Sequence, residues 1–185
     1  MRDSETTTGT AATEARRAAG PAAADGGTGG GPRLADVEEA GYVLARLGGG
    51  RYAIEMSAVA EVGRVPWITR VPGTPVWLAG VANWRGRILA VVDLRPLLGT
   101  EMPPVGSLGR LVVITDGTVT AGLLTEGVHG VIHCPADQLD PPPRTVDPDV
   151  AALLLGQFTP DHGPVAVINP AALLGLRRKL PNVRT

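Results

Sequence analysis

Residues 80–99 read GVANWRGRILAVVDLRPLLG, and residues 156–175 read GQFTPDHGPVAVINPAALLG. The two stretches align without a gap. Ala90, Val91, Val92 and Asp93 fall on Ala166, Val167, Ile168 and Asn169, and Leu97, Leu98 and Gly99 fall on Leu173, Leu174 and Gly175. Each copy reads as strand, turn, strand and short helix. Asp93 and Asn169 are residue types that accept from the first free N–H groups of a helix, and Gly99 and Gly175 suit its C-terminal cap. Coincidence between two strand-to-helix junctions is the alternative, against which stand the shared length and the shared cap chemistry. The repeat implies two related half-structures.

Outward from the repeat, the chain is short and alternating. Tyr42, Leu44 and Arg46 interleave with Val43, Ala45 and Leu47. Gly48, Gly49 and Gly50 then supply residues free to take positive φ before Tyr52, Ile54 and Met56 resume the period of two. A second hairpin runs from Leu111 to Thr115, turns at Asp116-Gly117 and returns from Val119 to Leu124. Many short strands with Gly-rich and Pro-rich turns predict an all-β protein of two small barrels with a few short helices, not one parallel sheet.

Residues 1–33 contain no Leu, Ile, Val or aromatic residue, so they bury too little apolar surface to offset ordering entropy. Residues 34–40 could add a helical turn. We assign residues 1–40 to a disordered tail, with the folded body beginning at about Gly41.

Composition removes several function classes. Lys plus Arg is 17 against 18 Asp plus Glu, so no broad field recruits nucleic acid or anionic lipid. Lys179 is the only lysine, which leaves none for a phosphate loop or a buried Schiff base. The serines, Ser4, Ser57 and Ser107, lie in no G-x-S-x-G elbow. Cys134 is the only cysteine, so no internal disulfide forms. No run approaches the ~20 apolar residues that span a bilayer, and no apolar export core of about 7 to 15 residues stands at the N-terminus.

The order Val59-x-Glu61, Ile68-Thr69-x-Val71-Pro72, Thr74-Pro75, Gly80, Asn83-x-Arg85-Gly86 and Val92-Asp93-Leu94-Arg95 resembles the first barrel of CheW-like chemotaxis coupling proteins. Downstream, residues 122–128 (GLLTEGV) are similar to that family's second-barrel strand, with Glu126 where an aspartate is common. The resemblance covers roughly residues 41–176. It implies two intertwined SH3-like five-stranded β-barrels, the first at about residues 41–99 and the second at about 108–176, with residues 177–185 as a C-terminal tail. It also implies a non-catalytic, cytoplasmic adaptor without cofactor or metal, recruited to membrane receptor arrays. Its partners would be a chemoreceptor signalling tip and the regulatory domain of a CheA-type histidine kinase, with no nucleic acid and no membrane insertion.

In that resemblance Val59, Glu61, Gly80, Asn83 and Arg85 match receptor-coupling positions. Val59 would give apolar contact, Gly80 close backbone approach and Arg85 a planar fork for carboxylates or carbonyls, with Glu61 orienting it. Equally, Glu61 and Arg85 could form only an intramolecular pair. Ile68, Val71, Pro72 and Val76 resemble the kinase contact, and Trp67, Trp77 and Trp84 are candidate interface anchors or core caps. Trp84 departs from the common leucine before the Arg-Gly pair.

Two other readings stand beside the adaptor. One is a barrel module binding some other signalling peptide. The other is a metal-dependent enzyme using His129, His133 and Cys134. Four-residue spacing on a regular strand puts both histidines on one face, but a structural site wants four ligands, and His162 sits in an Asp161-His162-Gly163 turn.

Overall fold

The computed structural model describes residues 39–160 and 162–178. Of the tail expected over residues 1–40 and the helical turn expected over 34–40, residues 1–38 lie outside the described residues, as do Asp161 and residues 179–185. Among the described residues, eleven strands run in the order β1 Glu39–Leu47, β2 Gly50–Glu55, β3 Val59–Arg64, β4 Ile68–Thr69, β5 Leu78–Trp84, β6 Arg87–Val92, β7 Arg110–Thr115, β8 Thr120–Thr125, β9 Gly127–Pro135, β10 Leu154–Phe158 and β11 Val165–Ile168. Two α-helices, α1 Pro148–Ala151 and α2 Pro170–Arg178, complete the fold with two single-turn 3-10 helices.

Both expected hairpins form. In β1–β2 the two connecting residues, Gly48 and Gly49, have φ of 55° and 79°, the left-handed pair that a two-residue turn between twisted strands requires. In β7–β8 the Asp116 carboxylate accepts from the N–H groups of Thr118 and Val119 at 2.9 and 2.7 Å, and Gly117 takes φ of 84°.

The strands form two sheets, one of five in the order β10-β11-β2-β1-β9 and one of six in the order β3-β7-β8-β6-β5-β4. The six-stranded sheet is contiguous in sequence, from β3 to β8. The five-stranded one joins the opening hairpin β1–β2 to β9, β10 and β11. The two have the same plan. A hairpin (β1–β2 or β7–β8) takes an antiparallel partner on its first strand (β9 or β3) and a parallel partner on its second (β11 or β6), which pairs onward with β10 or β5. Thus the hairpin that opens each half is built into the sheet of the other half, and the sixth strand is the two-residue β4 added at one edge.

Continuous apolar runs have both faces covered. Leu111 and Val113 of β7 face one cluster with Leu89, Val91 and Leu124, while Val112 and Ile114 face another with Ala90, Val92, Leu123, Ile54, Ile168 and Leu173. A third cluster, of Tyr42, Ala53, Cys134, Phe158, Val165 and Val167, belongs to the five-stranded sheet. Each sheet therefore has a core of its own, and a larger core containing Ala45, Leu47, Val112 and Leu123 lies between the sheets. Burying the Val, Leu, Ile and Phe side chains among these contributes roughly 1.5–3 kcal/mol each.

Three sequence expectations need correction. β1 begins at Glu39, so residues 39 and 40 are strand, because Pro135 and Cys134 of β9 extend the ladder to meet them. The helix expected after β6 is only a tight turn, held by the N–H groups of Leu97 and Leu98 donating to the Leu94 carbonyl at 3.0 and 2.9 Å and ended by Gly99 at φ 63°. Gly175 is not a cap. α2 runs through it to Arg178, where Leu176 packs on the inter-sheet core and Arg178 meets the Asp116 carboxylate at 2.5 Å. The N-terminal half of the repeat's cap chemistry holds at Asn169, whose side chain accepts from the Ala172 N–H at 3.2 Å.

Candidate functional site

β5 and β6 are joined by Arg85 and Gly86, with φ of 51° and 81°; Arg85 is the only non-glycine at positive φ among the described residues. The Asn83 side chain accepts from the Gly86 N–H at 2.9 Å and closes this turn. From it the Arg85 guanidinium projects, 75% exposed, and pairs with Glu61 of β3. The other Glu61 oxygen accepts the indole N–H of Trp84 at 3.1 Å. The indole lies over Gly63, where a Cβ would strike it. Three of the five receptor candidates, Glu61, Asn83 and Arg85, are thereby brought to one place, and Trp84 joins them.

The other two are placed differently. Val59 is half-buried against the inter-sheet core. Gly80 is buried at a register shift in β5, where a Cβ would collide with the Thr69 carbonyl of β4. Its counterpart in the repeat, Gly156, sits at the matching shift in β10, and a Cβ there would collide with the Asp140 carbonyl. Both glycines serve a close approach of the chain's own backbone.

The kinase candidates divide. Ile68 packs on the core of the six-stranded sheet, and the Val71 carbonyl accepts from the Thr74 hydroxyl at 2.7 Å. Pro72 is exposed, Val76 is 69% exposed and Trp67 is 88% exposed. Trp77 belongs to the inter-sheet core. The three tryptophans are therefore one surface residue, one core residue and one cap on β3.

A buried ionic cluster went unread in the sequence. Arg95, 4% exposed, donates to both Asp93 oxygens at 2.9 and 2.7 Å, to the Pro103 carbonyl at 2.7 Å and to Glu126 at 3.3 Å. The same Glu126 oxygen accepts from the Gly48 N–H at 2.9 Å. The bonds to Asp93, more than the opposing burial, hold the Arg95 guanidinium above its ordinary pKa. A polar run of Asp-x-Arg after an apolar strand was the available signal. Its partner Glu126, 31 residues on, could only be found in three dimensions.

The shared face expected for His129 and His133 does not form. β9 is irregular opposite Val43–Ala45, Gly130 takes φ of 111°, and the two histidines line different hollows, His129 with Leu44 and Arg46, His133 with Ile132 and Phe158. Among the described residues no group of three His, Cys, Asp or Glu is placed to hold a metal ion, and no helix is long and apolar enough to cross a membrane.

Residues 41–178 match the CheW-like domain family. Protein PilI of Pseudomonas aeruginosa is 35% identical over 128 residues, 69% of this chain and 71% of that protein. Protein FrzA of Myxococcus xanthus is 31% identical over 140 residues, 75% and 87%, and chemotaxis protein CheW of Klebsiella aerogenes is 28% identical over 103 residues, 56% and 62%. The crystal structure of the scaffolding protein TtCheW from Thermoanaerobacter tengcongensis superposes with a TM-score of 0.65 at 26% identity, covering 78% of this chain and 90% of that one. A family match over most of the described chain, on an all-β fold of two interleaved sheets, leaves one assignment: the chain belongs to the CheW-like domain family, the non-catalytic scaffolds of chemotaxis-type signalling.

Proposed function

We propose that this chain couples a chemoreceptor signalling tip to a CheA-type histidine kinase, working in the cytoplasm and recruited to receptor arrays. The observation that carries the reading is the Arg85 turn. A left-handed backbone and the Glu61 pair hold an arginine fork out of the sheet, three-quarters exposed, beside Asn83. A fork held this way meets a partner's carboxylates or carbonyls with less ordering entropy than a free side chain. Receptor contact is assigned to Glu61, Asn83 and Arg85, with Val59 and Gly80 supporting their strands. Kinase contact is assigned to the segment of Ile68, Val71, Pro72 and Val76, in which Pro72 and Val76 supply the exposed apolar surface.

The test is co-sedimentation of the purified chain with a receptor signalling fragment in vesicles and a CheA-type kinase, scoring kinase recruitment and autophosphorylation with each component omitted in turn. Recruitment and activity that both require this chain support the coupling role. Recruitment by neither cognate partner leaves the scaffold fold and removes this function.

A further inference from the structure

Arg46 of β1 and Arg51 of β2 are directly opposite in the hairpin register, so their guanidinium groups leave the same face of the sheet. Like charges opposed in this way destabilise a strand pair, and neither arginine has a carboxylate within ion-pair distance among the described residues. They line a hollow of about 420 Å³ with Leu44, Gly49 and His129. Arg51 is anchored by the Gly163 carbonyl, and Arg46 reaches the Gly49 carbonyl at 3.4 Å. The nearby Glu126 carboxylate is already engaged by the Gly48 and Gly49 N–H groups and Arg95.

We infer that this hollow is a docking site for an acidic, extended segment of a protein partner. Leu44 and Arg46 are two residues apart on one strand face, a spacing of roughly 6.5–7 Å that alternate side chains of an extended segment share. Acidic side chains facing Arg46 and Arg51 and an apolar one facing Leu44 complete the match. Main-chain strand addition is not the mode, because the bulge around Gly130 interrupts the adjacent edge strand. The inference is independent of the coupling role.

The test titrates the full chain, by fluorescence anisotropy, with a labelled peptide of alternating aspartate and leucine, the same peptide with asparagine for aspartate, and inorganic phosphate as competitor. Binding of the aspartate peptide alone is expected, weakened by added salt and by about tenfold or more in Arg46→Gln/Arg51→Gln. A thermal midpoint confirms that the variant folds. Arg46→Glu/Arg51→Glu is expected to take a lysine–leucine peptide instead, which tests the site through a gain of binding. No aspartate-peptide binding, equal binding by the double variant, or displacement by phosphate at concentrations comparable to the peptide overturns the proposal; the last makes the hollow a small-anion site.

Discussion

Glu61 accepts from Trp84 and pairs with Arg85 although β7, β8 and β6 lie between their strands in the sheet. One carboxylate thus ties the edge strand β3 to the β5–β6 hairpin three strands away. Arg85→Gly separates this structural duty from binding. It removes an exposed pair that contributes about 0–1 kcal/mol and relieves a left-handed conformation that costs about 1 kcal/mol for a residue with a side chain. Thermal melting is expected to show little net change, while co-sedimentation with receptor vesicles is lost. Retained co-sedimentation would remove Arg85 from the receptor contact.

Gly80→Ala and Gly156→Ala are each expected to destabilise by roughly 1–3 kcal/mol in urea unfolding, because each adds a Cβ against a carbonyl oxygen of the neighbouring segment, and Gly80→Ala is expected to cost the more, its φ being 147°. A Gly80→Ala variant of undiminished stability that fails to couple would instead make Gly80 a direct partner contact.

Arg95→Met leaves Asp93, itself 4% exposed, without its bidentate partner. The loss expected in denaturant titration is about 3–5 kcal/mol, the range for breaking a buried ion pair from one side. Replacing Asp93 as well, as Asp93→Leu/Arg95→Met, is expected to recover part of it.

The Asp116 carboxyl titrates below its ordinary value of 3.8, chiefly because the Val119 and Thr118 N–H groups bond its ionised form. A group depressed in the folded state stabilises above the unfolded value and loses that contribution as pH falls through the folded one. Asp116→Asn should therefore flatten the acid limb of stability as pH falls from above the ordinary carboxylate value of 3.8 through the lower folded one, read as the urea midpoint against pH. An unchanged limb would show that the turn hydrogen bonds do not discriminate between the two forms.

Trp67 and Trp77 predict opposite results. Trp67→Ala is expected to leave the melting temperature unchanged and weaken kinase recruitment, since the ring is 88% exposed beside the assigned contact. Trp77→Ala is expected to cost about 3–5 kcal/mol, as for other core aromatics.

Local chemistry was legible in the sequence. Period-two alternation located both hairpins, Gly48-Gly49 and Asp116-Gly117 marked their turns, and the resemblance brought Glu61, Asn83 and Arg85 together. What escaped was set by partners distant in the chain. Asp93 reads as a cap until the Arg95 guanidinium is seen to claim both its oxygens, with Glu126 on the same guanidinium, and Gly175 reads as a stop until Leu176 is seen to find a core. The phase of His129 and His133 was lost to a bulge in β9, whose extra residue lies opposite Val43–Ala45 and whose one local mark is Gly130. Nothing local to Tyr42–Glu55 says that its hairpin completes the sheet of the other half.

That exchange has a consequence for synthesis on the ribosome. Every strand of the six-stranded sheet has been made once β8 emerges, so that sheet can form as the chain lengthens. The β1–β2 hairpin emerges before the other nine strands yet completes its sheet last, because its partners β9, β10 and β11 follow every strand of the six-stranded sheet. An isolated two-stranded hairpin is marginal in water. That hairpin therefore stays open to chaperones and to like segments of neighbouring chains until β11 has been made.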